Sequence, residues 1–239
     1  MRLLERYMEP LLQGNRMACR DIIHEQIAAR APGHKLYQEI IWPAMERVDK
    51  LYRKDKIDIV TEHMATRINR ALADQVQQAL QNNPLNGKRV LIMCADKEPE
   101  ELGAQMCADL FEADGWGVYF VGGGVPNDEV LSLVGRLRPE LLLIFGTEPH
   151  GVPGIRMLVD QIREVGCHPT MNIMVSGGVY NRADGLWKEL NVDLFAPTVH
   201  QAIKIANEAE PRKPEIRAPG ISRKRRRRRR SPILAAAEV

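Results

Sequence analysis

From residue 88 to residue 207 the sequence alternates short apolar runs with segments of helical periodicity, each roughly 10–15 residues long. There are five such runs: Arg89–Cys94, Gly117–Val121, Leu141–Phe145, Asn172–Val175 and Val192–Ala196. Strands that are joined by helices pair in parallel, so this alternation predicts a parallel sheet with helices on both faces. Five units predict an α/β domain with a flavodoxin-like, doubly wound sheet over residues 88–207.

The first 83 residues lack strand-like alternation, and their apolar residues recur at helical spacing. Four amphipathic helices are predicted, over residues 2–13, 16–30, 35–54 and 58–81. Pro43 is expected to kink the third helix, because proline cannot complete the helical hydrogen bonding. The fourth has an apolar stripe formed by Val60, Met64, Ile68, Leu72, Val76 and Leu80. Four helices with short connections predict a helical bundle cap over residues 1–83.

Charge is segregated along the chain. The run Arg223–Arg230 contains 8 of the 34 basic residues, and residues 1–222 then carry a net charge of −4. Residues 208–239 are predicted to be a disordered basic tail, since they are rich in proline and charge. Such a block suits nonspecific, phosphate-driven contact with nucleic acid, although a solvated end without a partner is the alternative.

The composition excludes several classes of protein. No apolar run reaches the roughly 18 residues that a membrane span needs, and the first ten residues have no apolar core of a secretory signal. The four cysteines are scattered without metal-ligand spacing, so we interpret them as reduced thiols. A cytoplasmic protein is expected.

The turns that follow the predicted strands meet at one edge of the sheet, where ligands of this architecture usually bind. The first turn is acidic and reads DKEPEELG from Asp96 to Gly103. Three others contain glycine, at Gly122–Gly124, Gly146–Gly151 and Gly177–Gly178. Glycine permits close approach of a large ligand, or simply a tight turn between strand and helix. Nucleotide-binding and hydrolase motifs are absent, since the chain has no G-x-G-x-x-G after its first strand, no Walker motif and no G-x-S-x-G.

Residues 1–207 resemble the cobalamin-binding modules of methionine synthase, corrinoid methyl-carrier proteins and light-responsive cobalamin-dependent transcription regulators. The resemblance depends on the segments GWGVYFVGGGVPNDEV and VSGGVYNRADGLWKELNVDLFAPTVHQAI and on the layout of cap and sheet. In the cap, the regulators carry Trp, nine residues and Glu-His, and this chain has Tyr52, nine residues and Glu62-His63. Glu62 and His63 fall more than 90° from the apolar stripe of the fourth helix, so they do not face the bundle core.

The first turn departs from the family motif D-x-H-x-x-G, in which the histidine is the lower cobalt ligand. Gly103 is kept, but Glu98 and Glu100 stand at the aspartate and histidine positions. A carboxylate cannot replace imidazole as a nitrogen donor to cobalt. His150, in the turn after the third strand, is the alternative nitrogen ligand on the same edge.

The resemblance implies a non-enzymatic, cobalamin-binding sensor or regulatory protein. Its expected partners are a protein of transcription regulation and a further copy of the chain. The alternatives are a corrinoid methyl carrier or methyltransferase subunit, or a degenerate module that binds heme or no cofactor. The site is then expected to comprise Tyr52, Glu62 and His63 above the cofactor and residues of the turns below it. The turn residues are Glu98, Glu100, Gly103, Gly122, Gly123, Gly146, Thr147, Gly177 and Gly178.

Overall fold

Five parallel strands form one sheet in the computed structural model of the chain, which describes residues 2–96 and 101–214. The strands are β1 (Arg89–Cys94), β2 (Gly117–Gly122), β3 (Leu141–Phe145), β4 (Asn172–Ser176) and β5 (Leu194–Ala196). Their order in the sheet is β2-β1-β3-β4-β5, so the predicted flavodoxin-like α/β fold is confirmed. Strands β1, β3 and β4 lie inside the sheet and are almost entirely apolar, as strands covered on both faces must be.

The helical bundle precedes the sheet. Its helices are α1 (Leu3–Leu12), α2 (Arg16–Ala28), α3 (Gly33–Leu36), α4 (Trp42–Tyr52) and α5 (Ile59–Gln77). A π-helical turn, Tyr37–Ile41, joins α3 to α4. The π turn ends two residues before Pro43, whose ring excludes the carbonyl group four residues earlier, so the helical hydrogen bonding is irregular where the kink was predicted. The side chain of Asp58 caps α5 by accepting a hydrogen bond of 2.7 Å from the backbone N–H of Thr61.

Two groups of helices cover the two faces of the sheet. Helices α6 (Leu102–Ala113) and α10 (Val199–Glu208) pack on one face and share a single hydrophobic core with the bundle. Helices α7 (Asn127–Leu137), α8 (Val152–Val165) and α9 (Gly178–Arg182) cover the other face with a separate core. The bundle is therefore packed against one side of the sheet by the same apolar layer that holds α6.

Two local expectations differ from the structure. Val60 and Met64 are 59% and 40% exposed, so the first turns of α5 do not belong to the apolar stripe that Ile68, Leu72 and Val76 continue. Strand β5 begins at Leu194, two residues later than predicted, because Asp193 is used to bind arginine side chains instead.

The tail prediction also needs correction at its start. Residues 208–214 have defined positions, since the Arg212 guanidinium donates to Asp193 over 3.0 Å and the Glu210 carbonyl accepts from the Asn172 side chain over 2.9 Å. The arginine run itself lies outside the described residues. Within the residues that the structure describes, no helix is both long enough and apolar enough to cross a membrane.

Asp109 is a buried acid at the junction between the bundle and α6. It is 7% exposed, and its Oδ2 lies 2.7 Å from the hydroxyl group of Tyr37, which also contacts the carbonyl of Ala73 at 2.9 Å. Burial raises the pKa of Asp109 to about 6; Asp74 and Glu112 add to the shift, and the Tyr37 hydrogen bond opposes it. Asp109 therefore changes charge within the physiological pH range while it connects two layers of the fold.

The raised pKa of Asp109 predicts a pH-dependent effect of D109N on stability. Protonated Asp109 adds to the free energy of unfolding, because the folded state binds this proton more tightly than the unfolded state. The contribution is complete below the pKa of Asp109 in the unfolded chain, about 4, and is lost as the pH rises through about 6, its pKa in the folded state. At pH 8 we expect D109N to be more stable than the native protein by up to about 3 kcal/mol. At pH 4.5 most of this difference should disappear. Urea unfolding at pH 8 and at pH 4.5 measures the difference in free energy of unfolding. D160N is the control, because Asp160 is exposed. An equal effect of D109N at the two pH values would contradict the prediction.

Candidate functional site

Asp96 fastens the turn after β1 to the turn after β3. Its carboxylate is completely buried, and Oδ2 accepts hydrogen bonds from the backbone N–H groups of Thr147 at 2.6 Å and Glu148 at 3.2 Å. Because these bonds fix two successive N–H groups, the conformation of the β3 turn depends on Asp96. Thr147 was among the predicted site residues, whereas Asp96 was predicted only as the first residue of the acidic turn; its signal was an acidic residue two positions after a buried strand.

Among the described residues, the other oxygen of Asp96 has no hydrogen-bond partner. Oδ1 is buried and lies 3.9 Å from Nε2 of His150, whose side chain is 64% exposed. A buried carboxylate oxygen without a partner is costly, so the site favours a donor at this position. A small movement of His150 would supply one through Nε2 and would leave Nδ1 available to another ligand. The fold thus brings together an acid and an imidazole that are far apart in the sequence.

The β3 turn is also bound to the bundle. Glu148 forms an ion pair with Arg53, which follows α4, and Arg53 donates to Asp49 of the same helix over 2.8 Å. Arg182 of α9 donates to the carbonyl of Thr147 and lies 3.9 Å from Asp49. Hydrogen bonds and ion pairs therefore connect the segment from Thr147 to His150 with the turn after β1, with α9 and with the bundle.

A second connection joins the bundle to the turn after β2. The backbone N–H of Gly123 donates to Oε1 of Glu101 over 2.5 Å, and Arg70 of α5 approaches Oε2 of the same carboxylate at 3.4 Å. Glu62 lies about two turns before Arg70 on α5, 80° away around the axis, and 20° from the buried Asn69. That Glu62 faces away from the bundle core therefore stays a prediction.

The cap residues remain accessible. Tyr52 is 39% exposed, the side chains of Glu62 and His63 are 26% and 51% exposed, and Glu62 accepts from the hydroxyl of Thr66 at 2.9 Å. Ile59, which the sequence analysis did not select, lies on the same sector of α5 and is 53% exposed. An exposed isoleucine beside polar residues adds an apolar contact surface on this side of the cap.

Four glycines of these turns are closely packed. A Cβ atom on Gly103 would lie 2.4 Å from the ring of Phe145, and one on Gly146 would lie 2.9 Å from the ring of Tyr180. On Gly177 it would meet the carbonyl oxygen of Gly146 at 2.3 Å, and on Gly123 that of Asp96 at 2.0 Å. At these four positions, aromatic rings or neighbouring backbone therefore occupy the direction in which a side chain would point, and the part of these glycines in cofactor binding stays a prediction.

Next to these turns lies an apolar cleft of about 220 Å³. It is bounded by the bundle, α6 and the first residues of α10, and it is lined by Tyr37, Gln38, Trp42, Met106, Leu110, Thr198, Val199 and His200. Trp42 packs edge-on against Phe145, with their ring centres 6.1 Å apart. Since Phe145 also fills the space over Gly103, these two rings separate the cleft from the glycine turns.

Glu98 and Glu100 lie in the segment 97–100, outside the described residues. Among the residues that the structure does place, no group of three or more His, Cys, Asp or Glu side chains could hold a metal ion.

The comparisons with known proteins agree with this geometry. A family model described as "B12 binding domain" matches residues 3–80. The matched part is the helical cap, about a third of the chain. With the Rossmann-like domain that follows, it has the layout of a cobalamin-binding module of helical cap and sheet, and the match supports cobalamin as the cofactor.

Solved structures support the fold. The monomethylamine corrinoid protein of Methanosarcina barkeri superposes with a TM-score of 0.74 at 18% identity, covering 85% of this chain and 96% of its own. A cobalamin-binding protein from Desulfitobacterium hafniense and the methanol:cobalamin methyltransferase complex MtaBC from Methanosarcina barkeri match with TM-scores of 0.46 and 0.47, each at 18% identity. They cover 85% and 86% of this chain and 97% and 78% of theirs. No curated protein matches the sequence significantly.

Two features of the cobalamin-binding module fit a corrinoid. The unpartnered Oδ1 of Asp96 beside His150 suits the orientation of an imidazole that binds a metal through its other nitrogen. The apolar cleft exceeds the roughly 150 Å³ that hold a benzene molecule in an engineered cavity, so it can accept an aromatic base. The filled space over the glycine turns means that the rings of Phe145 and Tyr180 would have to move if a ligand entered there.

Proposed function

We propose that the protein is a cobalamin-dependent regulatory module in which the state of the cofactor sets the position of the helical cap. The observation that carries this proposal is the β3 turn, Gly146–His150. These five residues include the candidate ligand His150. The backbone N–H groups of Thr147 and Glu148 in the same turn donate to Asp96. The carboxylate of Glu148 also forms an ion pair with Arg53 of the bundle. A change of ligation at His150 would therefore be transmitted to the cap through adjacent residues.

In this proposal His150 binds the metal and Asp96 orients its imidazole. Tyr52, Glu62 and His63 cover the opposite side of the cofactor, and Ile59 adds an apolar contact. The predicted residues of the turns keep those turns close to one another; they are Gly103, Gly122, Gly123, Gly146, Thr147, Gly177 and Gly178. The apolar cleft would receive the cofactor's own aromatic base when an imidazole takes its place. The bound corrinoid supplies a metal whose axial ligands exchange, and such exchange is a suitable input for a regulator.

The competing function is a corrinoid methyl carrier. It is favoured by the likeness of fold to the monomethylamine corrinoid protein, which extends over most of both chains. A carrier must present the metal to partner enzymes, whereas the proposed regulator must report cofactor state through its cap. A protein partner in transcription regulation belongs to the first function, and a methyltransferase partner belongs to the second.

Hydrogen exchange of the reconstituted protein distinguishes these functions. The protein is loaded with hydroxocobalamin or adenosylcobalamin, its visible spectrum is recorded, and amide exchange is compared between the two forms. For the regulator we expect a difference at Asp49–Arg53 and at the β3 turn. Heme or no cofactor in place of corrinoid would reject the proposal, and methyl transfer from methylcobalamin with identical exchange in both forms would favour the carrier.

The ion pair between Glu148 and Arg53 offers a more specific test. We expect E148Q to bind cobalamin within about threefold of the native affinity but to lose the state-dependent difference in exchange at Asp49–Arg53, because the charge that connects turn and cap is removed. E189Q is the matched control, since Glu189 forms an exposed ion pair with Arg156 at 3.3 Å on another surface. An unchanged difference in E148Q would show that the cap is not coupled through this pair.

A further inference from the structure

Tyr180 of α9 has a buried hydroxyl group without a hydrogen-bond partner among the described residues. The residue is 2% exposed, and its Oη atom is fully enclosed. The other two buried tyrosines are paired. Tyr7 donates to Oδ1 of Asn69 over 2.7 Å, and Tyr37 has the partner Asp109. A buried hydroxyl group without a partner loses its hydrogen bonds to water on folding, so it lowers the stability of the folded state.

The ring of Tyr180 lies against the glycine that begins the β3 turn. A Cβ atom on Gly146 would lie 2.9 Å from Cε2 and 3.3 Å from Cζ of this ring. Since Cζ carries the hydroxyl group, it is the polar end of the ring that adjoins the turn. The candidate ligand His150 belongs to the same turn, four residues later. The hydroxyl group of Tyr180 therefore lies at the carboxyl edge of the sheet, beside the proposed cofactor site.

A second buried polar atom without a partner lies beside the same turn. It is Oδ1 of Asp96, whose other oxygen accepts from the backbone N–H of Thr147 over 2.6 Å. Burial raises the pKa of Tyr180, and the nearby Asp96 and Cys94 add to the shift. The hydroxyl group therefore keeps its proton and is available as a donor. Two buried polar atoms without partners beside one turn indicate a polar site that a ligand completes.

We infer that the hydroxyl group of Tyr180 binds an acceptor oxygen of the corrinoid, on a carboxamide of the corrin periphery or on the phosphate of its nucleotide. The inference rests on the proposed cobalamin function. A ligand that enters over Gly146 has to move the ring of Tyr180, and the hydrogen bond that the hydroxyl group gains then offsets the packing that the ring loses. Phenylalanine would fill the same space without burying a hydroxyl group, so packing alone does not account for tyrosine at this position.

The variant Y180F is expected to have two opposite effects. In urea unfolding of the full chain without corrinoid, it should lower the equilibrium constant for unfolding at least about fivefold, because the hydroxyl group is removed and the ring is kept. In a titration with hydroxocobalamin, it should weaken binding about 3- to 10-fold, because one hydrogen bond is lost. Y7F is the matched control, since Tyr7 is equally buried but paired with Asn69 in the bundle. It should raise the unfolding constant and leave the affinity for hydroxocobalamin unchanged.

A titration with cobinamide, which lacks the nucleotide but keeps the carboxamides, distinguishes the two acceptors. Y180F should weaken the binding of cobinamide and hydroxocobalamin equally if the acceptor is a carboxamide, and that of hydroxocobalamin alone if it is the phosphate. Two results would overturn the inference. If Y180F destabilises the protein as Y7F does, the hydroxyl group already has a partner. If Y180F binds hydroxocobalamin like the native protein, the hydroxyl group does not contact the cofactor. No binding by the native protein would instead reject the proposed function itself.

Discussion

Replacing His150 by alanine is expected to weaken cobalamin binding by at least tenfold and to remove the spectral signature of a protein nitrogen on cobalt. The reason is chemical: imidazole is a suitable donor for transition metals, and the carboxylate side chains in the first turn are not. Titration of the purified protein with hydroxocobalamin, followed in the visible spectrum, measures both effects. His34 is the matched control, because it is an exposed histidine of the bundle.

Asp96 should act through His150. We expect D96N to lower cobalamin affinity by about 10- to 100-fold, the usual cost of losing a residue that orients a metal-bound imidazole. The asparagine oxygen can still accept from the N–H groups of Thr147 and Glu148, so the turn should persist. If H150A and D96N both retain the native spectrum and affinity, the cobalt ligand comes from elsewhere and the assignment of His150 is wrong.

Replacing Gly177 by alanine should destabilise the protein by about 3 kcal/mol or more. Gly177 has a φ of +109°, a region that L-residues with a side chain avoid, and a Cβ atom there would lie 2.3 Å from the carbonyl oxygen of Gly146. Both costs affect the folded state only. Urea unfolding followed by circular dichroism measures the change, and cobalamin binding of the remaining folded protein shows whether the turn also contributes to the site.

Gly154 provides the control for this experiment. It lies in the first turn of α8, and a Cβ atom added to it would meet nothing within 4 Å. G154A is therefore expected to be neutral or to stabilise the protein by up to about 1 kcal/mol, since alanine is the better helix former. If G177A is no less stable than G154A, the close approach of the β3 and β4 turns does not contribute to stability.

The folded structure changes the meaning of the acidic first turn. The sequence directed attention to Glu98 and Glu100, which stand where relatives carry aspartate and histidine. The contacts that the structure describes belong to their neighbours: Asp96 holds the β3 turn, and Glu101 holds Gly123 and meets Arg70 of the bundle. The acidic residues at the two ends of the turn thus connect structural elements, whatever the role of those between them.

The sequence by itself determined the order of helices and strands, the parallel sheet and the edge at which its turns meet. These features follow from local periodicity, since buried parallel strands need continuous apolar runs and helices need an apolar stripe. Tertiary structure alone decided which side chains meet: Asp96 with His150, Glu148 with Arg53, and Phe145 with Gly103. The exposure of Val60 and Met64 and the docking of Arg212 were decided in the same way. Such contacts join residues that are 19 to 95 positions apart, and no periodicity in the sequence encodes their distance.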